Sequence, residues 1–367
     1  RLDGYPLALK LAAARLRFLS PVELLKSLDD PLTLRASSPD LPDRHRTLEA
    51  AFKASTDSLS QNDLDLLSKI AVFPQGCRLQ IAQELSTDEG WMEALERLVE
   101  SALLFMDDRR QHARFGILEP VRQYLLALHN PESRSRAYER ASESLLHLIE
   151  SLGVSPENPL TIERQDAMDE EHENLALLWD WTISHRPDLA VRFASSLAAY
   201  ELARGRGKAC QARVLAVQDH WMAMGPETRM EMELIKATLA IGRLQKQDAS
   251  EPLTTAEGLA TVAGGGSCTA RLALLRAAHR FFTDYQSSEA AGKDALDKCS
   301  EFGSPYLIGL AHRQLGSIYH YAHQSEAAIS HLGKAFSLLS DQGALDLAAY
   351  TALFQSNRSE EHTSELQ

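Results

Sequence analysis

The segment Gln286-Ser287-Ser288-Glu289-Ala290-Ala291 recurs as His323-Gln324-Ser325-Glu326-Ala327-Ala328, 37 residues on when aligned through Glu289 and Glu326. That period suits a pair of antiparallel helices, a unit that cannot cover its own apolar face and must stack against a neighbour. From Glu132 onward the sequence carries helical periods separated by Gly, Pro or Ser, with no convincing strand pattern. Most of the chain is therefore expected to be all-α.

The second copy places Leu315-Gly316, Tyr319, Ala328, Leu332 and Ala335 at the small and large packing positions of a tetratricopeptide (TPR) repeat. Gly316 lets the paired helix approach, while Tyr319 and Leu332 fill the interhelical layer. The first copy has Ala278, His279, Phe282, Ala291 and Ala295 at the corresponding places, a degenerate match that leaves the repeat number open.

The N-terminal third reads differently. Pro6 fits a first helical turn, and Leu7, Leu9, Leu11, Ala14, Leu16 and Leu19 continue a helix; a short one follows Pro21. Pro31, Pro39 and Pro42 break the pattern from Asp29 to Arg46, the best linker in the chain. Helical patterns then cover Leu48 to Leu59, Asp63 to Phe73 behind a Ser60/Asp63 capping box, Leu79 to Leu85, and Gly90 to Ser101. Leu103 to Met106 and Arg114 to Leu118 read as two strands around a polar turn, and Pro120 opens another helix. Helices followed by one hairpin predict a winged helix.

Composition narrows the partners. With 367 residues the chain is too long for one core, and 51 Asp+Glu against 38 Lys+Arg disfavour a polyanion partner. Glu93, Glu96, Arg97 and Glu100, on the helix in the recognition position, present three anions and one cation, so direct DNA contact by this module is not expected. No apolar stretch approaches the ~20 residues that span a bilayer, and no membrane partner is expected. Cys77, Cys210, Cys268 and Cys299 show neither CxxC nor zinc spacing, which fits a reducing cytoplasm.

Several constellations read as ordinary structure. Gly205-Arg206-Gly207-Lys208 lacks the first Gly of a phosphate loop and has Ala209 where Ser or Thr would bind magnesium; Gly264-Gly265-Gly266-Ser267 has no Lys. Both are expected to be interhelical loops. His312, His320, His323 and His331 have helical spacing without a carboxylate to complete a metal set. Of Trp179 and Trp181, at least one is expected in the core. No catalytic residue and no metal site is read from the spacing.

Four segments, taken in order, resemble one family, the STAND-type signal-transduction ATPases with an NB-ARC-like nucleotide module, particularly bacterial regulators with LuxR- or AfsR-like outputs. Arg1 to Leu9 resembles their GxP motif, Leu41 to Leu48 the approach to their winged helix, Leu104 to Tyr124 the wing and following helix, and Glu170-Glu171-His172-Glu173-Asn174-Leu175 the opening of their helical sensor. The resemblance implies that Gly4 and Pro6 line the adenine side of an ATP/ADP pocket, with Mg expected in the intact protein. The motif that often reads Met-His-Asp in related ATPases falls on Ile117-Leu118-Glu119, where Leu118 replaces a phosphate-sensing His.

The fold class expected is mainly α. Residues 1–30 would end the small helical domain of the ATPase module, 31–46 form a linker, 47–129 the winged helix and 130–357 the TPR-like sensor. Residues 358–367 look like a translated sequencing adapter, and Arg1 in place of Met suggests a reading frame that starts upstream. The Walker motifs and their P-loop domain are expected there, so this portion alone would not be an enzyme. The function implied is the regulatory and sensor portion of a cytoplasmic nucleotide switch. An inducer, protein or small molecule, would act at the repeats, with self-assembly on activation; the alternative is a constitutive TPR-like scaffold without nucleotide dependence.

Overall fold

The computed structural model describes residues 9, 12–13, 16, 19–27, 48–86, 89–108, 112–242, 246–263 and 266–352. The expected helix up to Leu19 is described only in part, and the Asp29–Arg46 linker and residues 358–367 lie outside the described residues. Two compact units emerge: one comprises 1–148 and 171–184, the other 149–170 and 185–367.

In the first unit, α1 (Pro21–Ser27) is followed by α2 (Leu48–Thr56), α3 (Gln61–Ile70), β1 (Cys77–Arg78), α4 (Leu79–Leu85) and α5 (Trp91–Glu100). Then come β2 (Phe105–Asp107), β3 (Arg114–Gly116), α6 (Glu119–Leu128) and α7 (Pro131–Ser151). Helix α3 starts where the capping signal put it: Ser60 Oγ accepts from the Asp63 amide at 3.1 Å. The sheet is antiparallel in the order β1-β3-β2, and the expected hairpin is its β2–β3 pair. The two-residue strand β1 has no counterpart in the sequence reading, because two residues carry no period. Leu66, Leu67 and Ile70 of α3, Ile81 and Leu85 of α4, and Leu95 and Leu98 of α5 are buried in its core. Helix α9 (His172–His185) also belongs to this unit up to Ser184, although the sequence reading assigns everything after residue 129 to the sensor.

The second unit contains α8 (Ile162–Asp169) and then only helices: α10 (Pro187–Ala203), α11 (Gly207–Ala216), α12 (Gln218–Trp221), α13 (Pro226–Gly242), α14 (Ser250–Ala263), α15 (Ser267–Thr283), α16 (Tyr285–Phe302), α17 (Pro305–Tyr321) and α18 (Ser325–Asp341). Its core is a chain of small clusters. Leu272 of α15 closes one with Met230, Leu234 and Leu253, while Ala270, Ala273 and Ala277 of the same helix open the next with Ala295, Cys299 and Leu307. This sharing of one helix between successive cores is how a stacked array stabilises units that could not fold alone. Leu315, Gly316, Tyr319, Ala328, Leu332 and Ala335 are all buried, and a methyl on Gly316 would sit 2.7 Å from the Leu332 side chain. The degenerate copy keeps Ala295 buried but leaves Phe282 exposed.

Candidate functional site

The most constrained polar site among the described residues lies in the first unit, where β1 meets β3. Their register sets Arg78 opposite Arg114, a pairing of like charges that destabilises a sheet unless something neutralises it. Glu171, at the entry to α9, does so. Its Oε1 accepts from Arg78 Nε at 3.1 Å and Arg114 Nη1 at 2.5 Å, and its Oε2 from Arg114 Nη2 at 3.0 Å and Asn174 Nδ2 at 2.7 Å. All four residues are buried, with relative exposures of 6% for Arg78, 2% for Arg114 and 0% for both Glu171 and Asn174.

Backbone groups complete the network. Arg114 donates to the carbonyls of Gln75 and Gly76 at 3.2 and 2.9 Å. Asn174 donates to the same Gly76 carbonyl at 3.0 Å and accepts from the Gln75 amide at 3.3 Å. Gly76 has φ +68°, and a methyl there would lie 2.4 Å from the Phe115 carbonyl oxygen, so this turn requires glycine. The Leu175 amide bonds the Glu171 carbonyl at 2.8 Å, which puts the Glu171 carboxylate at the positive end of the helix dipole. Cys77, between the arginine and the turn, has its thiol pushed up to about 12 by burial, with Arg114 opposing and Glu171 reinforcing.

This cluster holds no nucleophile beside a base, so the arrangement is a joint rather than a reaction centre: it fastens the first turn of α9 to the edge of the sheet. Two of the four resemblance segments meet in it, Arg114 from the wing segment and Glu171 with Asn174 from the segment at the sensor opening. Sequence reading singled out both segments without seeing that they are halves of one ion cluster. The available signal was an arginine at an inward strand position with no acidic residue near it in sequence.

The other residues singled out from the sequence fall as follows. Gly4 and Pro6 lie outside the described residues. Leu118 stands just before α6 and offers no donor to a phosphate; Glu119 is engaged by Arg122 at 2.7 Å and Gln123 at 2.8 Å. On α5, Arg97 turns inward to Asp63 through bonds of 2.6 and 3.1 Å and holds that carboxyl below its usual range, while Glu93, Glu96 and Glu100 stay exposed. The one cation of the recognition-position helix is thus paired with a buried carboxylate of its own unit while its side chain stays half-exposed. Trp179 is buried, and Trp181 packs on Tyr138 with centroids 5.8 Å apart. Gly205, at φ +68°, makes the turn between α10 and α11.

In the second unit His312 and His331 come together, Nδ1 to Nδ1 at 2.9 Å, whereas His323 sits in the turn after α17 with φ +58°. Burial lowers His312 to about 4, helped by His331 and Lys334. Among the described residues no group of three or more potential ligands could hold a metal ion.

No family model matches the chain. A Mycobacterium tuberculosis protein described as "Putative HTH-type transcriptional regulator" is 31% identical over 207 residues, 54% of this chain and 23% of that protein. An uncharacterized protein of the same organism is 38% identical over 133 residues, 34% of this chain and 34% of that protein. Among solved structures, the STAND protein with a tetratricopeptide repeat sensor from Pyrococcus horikoshii superposes with a TM-score of 0.55 and 15% identity, over 96% of this chain and 56% of that one. The chain thus spans about a quarter of the mycobacterial regulator and about half of the archaeal protein. The fold is mainly α and resembles that of the archaeal STAND protein with its tetratricopeptide repeats, while about half of the chain resembles in sequence the mycobacterial protein described as a putative transcriptional regulator. No helix among the described residues is long and apolar enough to cross a membrane.

Proposed function

We infer that this chain is the regulatory and sensor portion of a cytoplasmic, ATP/ADP-switched signalling protein of the transcriptional-regulator kind. The observation that carries the reading is the Arg78/Arg114–Glu171–Asn174 cluster. It makes the wing and the sensor opening, two segments resembling the same family, interlocking halves of one buried structure. In this reading an inducer binds the helical repeats and favours the open state, which requires that it bind that state more tightly than the closed one. The winged helix holds the nucleotide-bound resting state without touching DNA.

Gly4 and Pro6 would contact the adenine, the rigid Pro ring offering an apolar surface without a competing donor. Phosphate contacts and hydrolysis would belong to a P-loop domain outside this sequence, because the Leu118 side chain has no donor with which to replace a phosphate-sensing His. Reading the frame upstream of Arg1 tests this. A strand followed by GxxxxGK[ST] supports it; a start codon with no P-loop would leave a TPR-like scaffold without nucleotide dependence.

A further inference from the structure

Buried and half-buried arginines in this protein mostly come with carboxylates. Arg78 and Arg114 share Glu171, Arg271 lies between Glu157 and Glu231, and Arg213 meets Glu201. Arg313, midway along α17, departs from this. It forms no ion pair among the described residues, and its Nε is shielded from solvent with no acceptor. The titratable groups that bear on it are two phenols, Tyr306 and Tyr350, and burial pushes its guanidinium below the usual arginine range. A guanidinium does not give up its proton in a protein, so the position holds an uncompensated cation.

The 37-residue period supplies an internal comparison. Arg276 occupies the same register position one helical pair earlier, and its Nε contacts Glu257 Oε1 at 2.8 Å. In one pair a described residue provides the counter-charge; in the next none of the described residues does. Arg229 also keeps a shielded Nε without an acceptor, but the position 37 residues on from it is Gly266, outside the repeat pattern. Tyr306, Arg313 and His320 follow at intervals of seven along α17, which puts them on one face of the helix. Tyr306 also lines a cavity of about 290 Å³ with Leu160, Ile162, Gln165, Leu345 and Leu347, a volume at the small end of ligand pockets.

We propose that Arg313 is the anion-recognition residue of the helical repeats, taking the carboxylate or phosphate of a small ligand as the counter-charge that none of the described residues supplies. The planar fork of a guanidinium matches two oxygens of either group. The proposal rests on the reading of the repeats as a sensor and names the chemistry that the sensor accepts.

The test is thermal unfolding of the purified chain with citrate or inorganic phosphate, against chloride at matched ionic strength, for wild type, R313Q and R229Q. Wild type and R229Q gain several degrees from one of the two anions, and R313Q gains none; the anion that acts identifies the group recognised. Without either anion, R313Q is at least as stable as wild type, because it removes a half-buried charge whose Nε has no acceptor. An equal response from R313Q, no response beyond chloride from either anion, or an R313Q less stable than wild type in plain buffer overturns the proposal. None of these results bears on nucleotide retention, so the sensor assignment to a nucleotide switch stands or falls separately.

Discussion

Replacing Glu171 by Gln keeps the shape of the joint and removes the carboxylate that bridges its two arginines. Arg78 and Arg114 then face each other across the β1–β3 register without the carboxylate they share, in a site where Arg114 is 2% exposed. Breaking a buried pair by deleting one partner costs about 3–5 kcal/mol, because the stranded charge stays buried. Total stabilities are about 5–15 kcal/mol, so roughly a fifth or more of the first unit's stability is at stake. At about 2–4 °C per kcal/mol for a unit of this size, its melting transition falls by ~6–20 °C. Urea unfolding followed by tryptophan fluorescence reads the effect, since Trp91, Trp179 and Trp181 lie in this unit and only Trp221 in the other. Glu173→Gln, on the same helix but exposed, shifts stability by no more than about 0.5 kcal/mol. An E171Q protein within about 1 kcal/mol of wild type, or an E173Q as damaging as E171Q, refutes the reasoning.

Other expectations follow from single contacts. Gly316→Ala puts a methyl 2.7 Å from Leu332; the overpacking, about 1–3 kcal/mol, outweighs the ~1 kcal/mol that alanine gains in a helix, and calorimetry should show net destabilisation. Folding depresses His312 from 6.5 to about 4, so as pH falls the unfolded chain binds the proton first and stability declines between those values. The imidazole is half-exposed, and screening reduces the loss to ~1–2 kcal/mol; His312→Asn removes that part of the pH dependence in denaturation curves. The thiols of Cys77 and Cys299 are pushed up to about 12 by burial, and that of Cys268 to about 11 by burial and Glu231. Iodoacetamide at pH 8 should leave Cys77, Cys210 and Cys299 unmodified in the folded chain and alkylate all four cysteines in urea; rapid labelling of Cys77 in the native state contradicts its burial.

Helices were legible wherever a local rule sufficed. Ser60 caps α3 because its hydroxyl answers an orphan amide three residues on, and Gly316, Tyr319 and Leu332 lie in the core because the repeat spacing allows little else. The site was legible only as separate pieces. Glu171 and Asn174 stand far along the chain from Arg78 and Arg114, and no periodicity links a helix entry to a strand edge; the link appears once the β1–β3 register forces the two arginines together. The same holds for His312 and His331, whose approach depends on how α17 packs on α18. The boundary after residue 129 fell in a different place from the compact units because continuous helical periodicity does not reveal which core a helix serves. Helix α9 goes with the first unit because its entry carries the carboxylate that both Arg78 and Arg114 bond.

The measurement that bears most directly on the functional reading is ADP affinity in a protein extended through the upstream reading frame, with and without residues 48–352. A winged helix and sensor that hold the resting state predict an affinity at least ~10-fold weaker without them, about 1.4 kcal/mol. Equal affinities would contradict the account.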